Sequence, residues 1–216
     1  MKKKLAIFDL DGTVVDAYDS IYKTINYISE KLNYKKFEYE VVKRAIGKGD
    51  LQLVKTLFKD KYKIAHSLYR ENYLYFLENN VKVIDGVVDF FIELKKRNIK
   101  IAGATNRAKF SLEKLLKITK LEKYFDLVLC ADDVSKPKPN PEIILKIINY
   151  FKFEKEEVFF IGDMDIDYET GKNAEVDTYI VLTGSSKKED FEKYDSPLIF
   201  DNMKEIEKFL IENKLI

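Results

Sequence analysis

The sequence predicts an α/β fold, a doubly wound and mostly parallel sheet, with an all-helical segment inserted after the first strand. Three observations predict it. From Asp85 onward, short apolar runs bounded by turn residues alternate with segments of helical period. Residues 17–80 keep helical periodicity with no strand-like run. The first apolar run, Leu5 to Leu10, ends among Asp9, Asp11 and Gly12, and open α/β sheets place their ligands at the carboxyl ends of strands.

The elements follow in order. Residues i and i+2 of a strand share a side, so Asp9 and Asp11 are expected to serve one site. Gly12 lets the chain turn sharply just beyond. Ile21, Ile25, Ile28 and Leu32 then recur at helical spacing, and helical patterns continue through Val41 to Ala45, Leu51 to Phe58 and Ala65 to Leu77. The last carries an aromatic stripe, Tyr69, Tyr73, Tyr75 and Phe76, which at this spacing reads as core. The expected division is one α/β domain of residues 1–16 and 82–216, with a helical domain of residues 17–81 inserted into it.

After Asp85-Gly86, Val87, Phe90, Phe91 and Leu94 form a helix face, and Ile99 to Ala104 reads as a buried strand. Leu112, Leu115 and Leu116 predict a helix before the strand Asp126 to Cys130. Asn140-Pro141 reads as an N-cap with proline at the first helical position, opening a helix with Ile143, Ile144, Ile147, Ile148 and Phe151 on one face. Strands follow at Val158 to Ile161 and Thr178 to Leu182. A short edge strand at Leu198 to Phe200 precedes a helix carrying Met203, Ile206 and Leu210.

Composition narrows the function. Across 216 residues, 38 Lys and Arg stand against 37 Asp and Glu, for a formal net charge of +1. That balance argues against a nucleic-acid or membrane surface. Lysine heavily outnumbers arginine. The single cysteine, Cys130, allows no disulfide or Cys-based metal site within one chain and reads as a buried inert thiol. The basic start Lys2-Lys3-Lys4 precedes an apolar run interrupted by Asp9, so it is not read as a signal peptide. No stretch approaches the ~20 apolar residues of a membrane span. A cytoplasmic protein is expected. The only histidine, His66, lies on the aromatic helix and reads as a packed or surface residue.

Four segments sit where strands should end. They are Asp9 with Asp11, Thr105-Asn106, Lys136 in the proline-rich loop Lys136-Pro137-Lys138-Pro139-Asn140-Pro141, and Gly162-Asp163-Met164-Asp165-Ile166-Asp167. Asp9, Asp163 and Asp167 make a hard-oxygen set suited to Mg²⁺. Such a cation is needed if a carboxylate is to attack phosphate. At ~4 Å and an effective dielectric of ~20, unit charges repel by ~4 kcal/mol, and a dianion roughly doubles that. Lys136 is the lysine expected to supply further positive charge. Asp165 reads as an acidic residue in a helix's first turn.

Phe8-Asp9-Leu10-Asp11-Gly12-Thr13, Thr105-Asn106, Lys136-Pro137 and Gly162-Asp163…Asp167 together resemble, in order and spacing, the four motifs of the haloacid dehalogenase superfamily. The resemblance covers almost the whole chain. It implies a Rossmann-like core with a helical cap, and a phosphatase using Mg²⁺ on a small phosphorylated metabolite. It implies Asp9 as the nucleophile that forms an aspartyl-phosphate, and Asp11 as general acid and then base. Thr105 would bond the transferring phosphoryl group, aided by the Asn106 backbone, and Lys136 would supply the positive charge. The implied metal ligands are Asp9, the carbonyl of Asp11, Asp163 and Asp167.

Within the helical segment, Arg44-Ala45-Ile46-Gly47-Lys48-Gly49-Asp50 resembles the cap loop of phosphoglycolate phosphatase-like members. There Arg44 and Lys48 would meet a substrate carboxylate or second phosphate, or else remain solvated cations in a turn. Asp11 separates the chain from the dehalogenase and phosphonatase branches. A phosphosugar mutase and a non-catalytic phosphometabolite-binding module are the alternatives. Resemblance to the mutases would imply a histidine shortly after the first motif, where this chain has Asp16-Ala17-Tyr18-Asp19-Ser20. Glu175 stands where the family commonly has glycine. Monomer and homodimer are both open.

Overall fold

The apolar tetrad Leu5–Phe8 forms β1, the inner strand from which the site is built. The computed structural model describes residues 2–216. After β1 come β2 (Val15–Asp16), α1 (Tyr18–Lys31), α2 (Tyr39–Ala45), α3 (Asp50–Phe58), α4 (Tyr62–Asn79) and β3 (Lys82–Val83). The chain then alternates: α5 (Val87–Lys96), β4 (Lys100–Ala104), α6 (Lys109–Thr119), β5 (Leu127–Leu129), α7 (Glu142–Phe151), β6 (Val158–Gly162), α8 (Asp165–Ala174), β7 (Asp177–Val181), β8 (Leu198–Phe200) and α9 (Met203–Glu212).

Six strands pair in the order β5-β4-β1-β6-β7-β8, and every pairing is parallel. The expected doubly wound α/β sheet is therefore present. The chain works outward from β1 through β4 to β5, then crosses back to β6 on the other side of β1. This reversal leaves a crevice at the carboxyl ends of β1 and β6, where such sheets bind ligands.

Alternation along the strands sorts side chains onto two faces. Ala6, Phe8, Ile101, Phe159 and Ile161 pack on one face with α5 and α9 residues such as Phe90, Phe91 and Leu210. Leu5, Ile7, Ala102, Val158 and Phe160 pack on the other with Ile143, Ile144 and Ile147 of α7. Asn140 Oδ1 accepts the Glu142 N–H at the start of α7, 3.0 Å away, as the Asn-Pro signal predicts.

Two features were not expected. Val15–Asp16 and Lys82–Val83 pair antiparallel, a two-stranded ribbon at the root of the helical insertion. Two-residue strands carry too little pattern to be read from sequence. The second is that β1 ends at Phe8. The Leu10 carbonyl accepts N–H bonds from Thr13, Val14 and Val15, which folds the chain into a tight turn. The strand period does not extend to Asp11, so the expectation that it aligns Asp9 and Asp11 fails at its second residue.

In the insertion, Ile21, Ile25 and Ile28 are buried as predicted, and so are Tyr69 and Tyr73. Tyr75 is 71% exposed, so the aromatic stripe is only partly core. α8 ends at Glu175, whose φ of 60° is the left-handed conformation that glycine would adopt more easily. Among the described residues, no helix is long and apolar enough to cross a membrane.

Candidate active site

Asp9 leaves β1 with its N–H still bonded to the Ile161 carbonyl at 2.8 Å, which ties it to the central strands. The Asp163 carboxylate follows β6, and Asp167 lies in the first turn of α8. Asp9, Asp163 and Asp167 are all buried, with one carboxylate oxygen from each within 4.8 Å of the others. The structure thus brings together three residues expected at one site.

The cation among them is Lys138, and this corrects the expectation for Lys136. Lys138 Nζ lies 2.7 Å from Asp9 Oδ1 and 2.6 Å from Asp167 Oδ1. The Asn106 amide places it. Asn106 Oδ1 accepts the Lys138 N–H at 2.9 Å, and Asn106 Nδ2 donates to the Lys138 carbonyl at 3.1 Å. Lys136 is exposed, and its N–H donates to Glu142 Oε2 at 3.0 Å, which holds that residue at the rim. Both lysines precede a proline, so the Lys-Pro pattern fits either position. The clamp from Asn106 distinguishes them.

The electrostatics follow from burial. Burial pushes Asp9 up to about 7, against the pull of Lys138 and with a further push from Asp167. Burial, with Asp167 and Asp9 nearby, holds Asp163 well above the usual carboxylate range. Burial would lower Lys138, but Asp167 and Asp9 outweigh it and hold the ammonium above its ordinary value. Among the described residues, Asp163 accepts only from neutral donors: Thr13 Oγ1 at 3.3 Å, the Tyr18 hydroxyl at 3.2 Å and the Ser185 N–H at 3.1 Å. Three buried carboxylates therefore lie around one ammonium, which touches only two of them. The uncompensated negative charge and the all-oxygen donor set fit a hard divalent cation. A Cβ on Gly184 would collide with the Asp163 carboxylate, so a glycine is needed there.

Asp11 faces elsewhere. Its carboxylate forms a two-pronged pair with Arg107, Nε to Oδ2 at 3.0 Å and Nη2 to Oδ1 at 2.5 Å. Arg107 Nη1 donates to the Tyr73 hydroxyl at 2.9 Å and to Ser111 Oγ at 3.1 Å. Burial opposes the charge of Arg107, but Asp11 and Tyr73 outweigh it and keep the guanidinium firmly protonated. Sequence reasoning missed Arg107. Two signals pointed to it: it directly follows Thr105-Asn106, and it is one of only four arginines in a lysine-rich chain.

Asp9, Asp11, Thr105, Asn106 and Arg107 line one cleft beneath the helical insertion. Its far wall includes Ile46, Leu53, Tyr69 and Tyr73. Two rings of the supposed core stripe thus wall the cleft. Thr105 is buried, and its Oγ1 accepts the Arg107 N–H at 3.1 Å. Asn106 Nδ2 also donates to the Gly47 carbonyl at 2.9 Å, so its amide bridges insertion and sheet rather than reaching into the cleft. Arg44 and Lys48, for which a substrate contact and a solvated turn were both open, are not buried and are not among the residues lining this cleft. Arg44 lines a separate groove with Glu40, Met164 and Asp165. The reason is local: the backbone between them turns through Ile46, which is buried, and Gly47, whose φ is 110°.

His66 lies 3.2 Å from Asp50, a pairing on the insertion itself. Burial pushes the Cys130 thiol up to about 12, which fits an inert thiol.

A haloacid dehalogenase-like hydrolase family model matches residues 6–181. A phosphoglycolate phosphatase from Aquifex aeolicus is 30% identical, over 85% of this chain and 87% of its own length. A pyrophosphatase PpaX from Bacillus mycoides is 27% identical, over 95% of this chain and 96% of its own. Among solved structures, a haloacid dehalogenase-like family hydrolase from Streptococcus pneumoniae superimposes with a TM-score of 0.85 at 19% identity, covering 96% of this chain and 98% of that one. That likeness concerns the fold.

Proposed function

Because the chain belongs to the haloacid dehalogenase-like hydrolase family, we propose that it hydrolyses a small phosphomonoester metabolite with Mg²⁺, through a phosphoryl group carried on Asp9. At the coarser level it is a phosphatase. The observation that carries the finer reading is the buried trio Asp9, Asp163 and Asp167 around Lys138, at the reversal point of the sheet.

Asp9, Asp163 and Asp167 would hold the metal, together with the Asp11 carbonyl that the family resemblance implies. Mg²⁺ bound there supplies positive charge that neutralises the carboxylates and an incoming phosphate. The chain's own residues do the rest. Asp9, held from behind by Lys138, presents a carboxylate oxygen to phosphorus. Thr105, fixed in the wall, offers its hydroxyl to the phosphoryl oxygens. Asp11 stands next along the cleft, where, away from Arg107 and protonated from solvent, it passes that proton to the departing oxygen and later regains one from the attacking water. Asn106 keeps Lys138 aimed inward and seats the loop around Gly47 over the site, which limits water access.

The relatives' names suggest the substrate class. Phosphoglycolate and pyrophosphate each leave behind an anion, a carboxylate in one and a phosphate in the other. We take phosphoglycolate as the leading substrate. The test is phosphate release from both compounds, with Mg²⁺ and with EDTA. Release that needs Mg²⁺ and disappears in Asp9→Asn is expected. Turnover indifferent to EDTA would remove the metal from the account.

A further inference from the structure

Asp11, as it stands, is not turned toward a reacting ester. Both its oxygens are taken by Arg107. The guanidinium is anchored from its other side, where Nη1 donates to Tyr73 on α4 and Ser111 on α6. Both of those partners are neutral. Arg107 therefore stays in place if Asp11 leaves, and its Nε/Nη2 edge is the exchangeable one. Arg107 is also the only positively charged residue among the described residues that line the cleft.

We propose that Arg107 is the receptor for a second anionic group on the substrate, the carboxylate or phosphate of the leaving group. That anion replaces the Asp11 carboxylate at the Nε/Nη2 edge, and Asp11 swings free toward the ester oxygen. The exchange is like for like, since the guanidinium fork fits a carboxylate or a phosphate equally well and in the same bidentate manner. A neutral leaving group has nothing to offer in return. Displacing Asp11 with it would strand a buried cation, and burying an unpaired charge is strongly unfavourable. The cleft thus selects phosphate esters whose leaving group is itself an anion, and couples the release of Asp11 to the arrival of the right substrate. This inference rests on the phosphatase reading above and deepens it.

The experiment compares phosphoglycolate with ethyl phosphate, an ester of similar size with a neutral leaving group, using the full chain with Mg²⁺. Pyrophosphate forms a third arm, so that preference for a carboxylate or a phosphate at Arg107 is read separately. The wild type should favour the better anionic substrate by ~100-fold or more in kcat/KM. Arg107→Gln should shrink that ratio to within ~10-fold, chiefly by raising KM for the anionic substrate, and Arg107→Lys should restore part of it. Calorimetry with glycolate alone gives a readout independent of turnover: binding to the wild type and none to Arg107→Gln.

A proportional loss on all three substrates would mark Arg107 as merely structural and overturn the proposal. So would a wild-type ratio near one, or failure of glycolate to bind the wild type. Those two results need no variant to fold. Hydrolysis without preference would leave the phosphatase reading intact while ending this one. If no ester is hydrolysed the phosphatase reading fails, and glycolate binding still decides the role of Arg107.

Discussion

Asp9 and Asp11 stand two residues apart, yet each meets a different buried cation in a different manner. Asp9 shares Lys138 with Asp167, and the ammonium is fixed through its backbone by Asn106. Asp11 has Arg107 to itself in a bidentate pair, and the guanidinium is fixed by side chains of α4 and α6. The first arrangement balances charge: a compact ammonium, indifferent to direction, sits among too many carboxylates. The second is directional, a planar fork whose partner can be exchanged for another of the same shape. On the proposed reading, the difference separates the cation that would steady the phosphoryl-accepting carboxylate from the cation that would read what the phosphate is attached to.

The largest expected effect lies on the Asp9 side. Asp9→Asn should lower phosphate release by ~10³-fold or more, since removal of a nucleophile is rarely rescued. Its fold should survive, because Lys138 keeps Asp167. Near-normal turnover would break the division at its root.

Next comes the cation. Lys138→Ala leaves Asp9 and Asp167 buried without their cation and should cost ~3–5 kcal/mol of stability along with activity. Lys136→Ala, two residues away on the exposed rim, should change stability by no more than ~0.5 kcal/mol. Urea denaturation of both variants checks this, and the reverse ranking would return the role to Lys136.

Titration sharpens the comparison further. Without a metal, burial holds the Asp9 proton up to about pH 7, whereas an ordinary aspartate side chain releases it near 3.8. Between those values the folded chain holds more protons than the unfolded one, so the contribution of Asp9 to stability falls as pH rises. A bound metal requires the carboxylate and reverses that slope. The rise in Tm produced by Mg²⁺ should therefore grow from about pH 5 to about pH 8. Asp163→Asn should flatten it, and a response to Mg²⁺ independent of pH would contradict the assignment.

The smallest effect is expected where the insertion touches Arg107. Tyr73→Phe removes one neutral acceptor from Nη1 and should cost ~1 kcal/mol in thermal or urea unfolding. A loss as large as that of Lys138→Ala would mean that Tyr73 anchors more than the fork.

The sequence carried the sheet because its central strands are buried apolar runs between turn residues, as at Leu5–Phe8 and Val158–Gly162, where every residue is buried. It carried Asp9 and Asp163 because each follows a strand immediately and so inherits that strand's position, and Asp167 because it lies in the first turn of the helix that comes next. It did not separate Lys138 from Lys136. That choice depends on which backbone amide meets Asn106, a contact spanning 32 positions of chain. Nor did it show Arg107 on Asp11, because β1 ends early and the strand period no longer describes where Asp11 points. The sequence left the role of Arg44 and Lys48 open for a related reason. A loop with two glycines at positive φ, Gly47 and Gly49, has no period from which side-chain direction can be read.

The central claim is that phosphorus is transferred first to Asp9 and only then to water. The stereochemical course at phosphorus tests it most directly, using a chiral, isotopically labelled thiophosphate analogue of the substrate hydrolysed in labelled water. Two successive in-line displacements give retention of configuration, which is the result expected. Inversion would mean that water attacks the ester directly, and Asp9 would then lose its place as nucleophile.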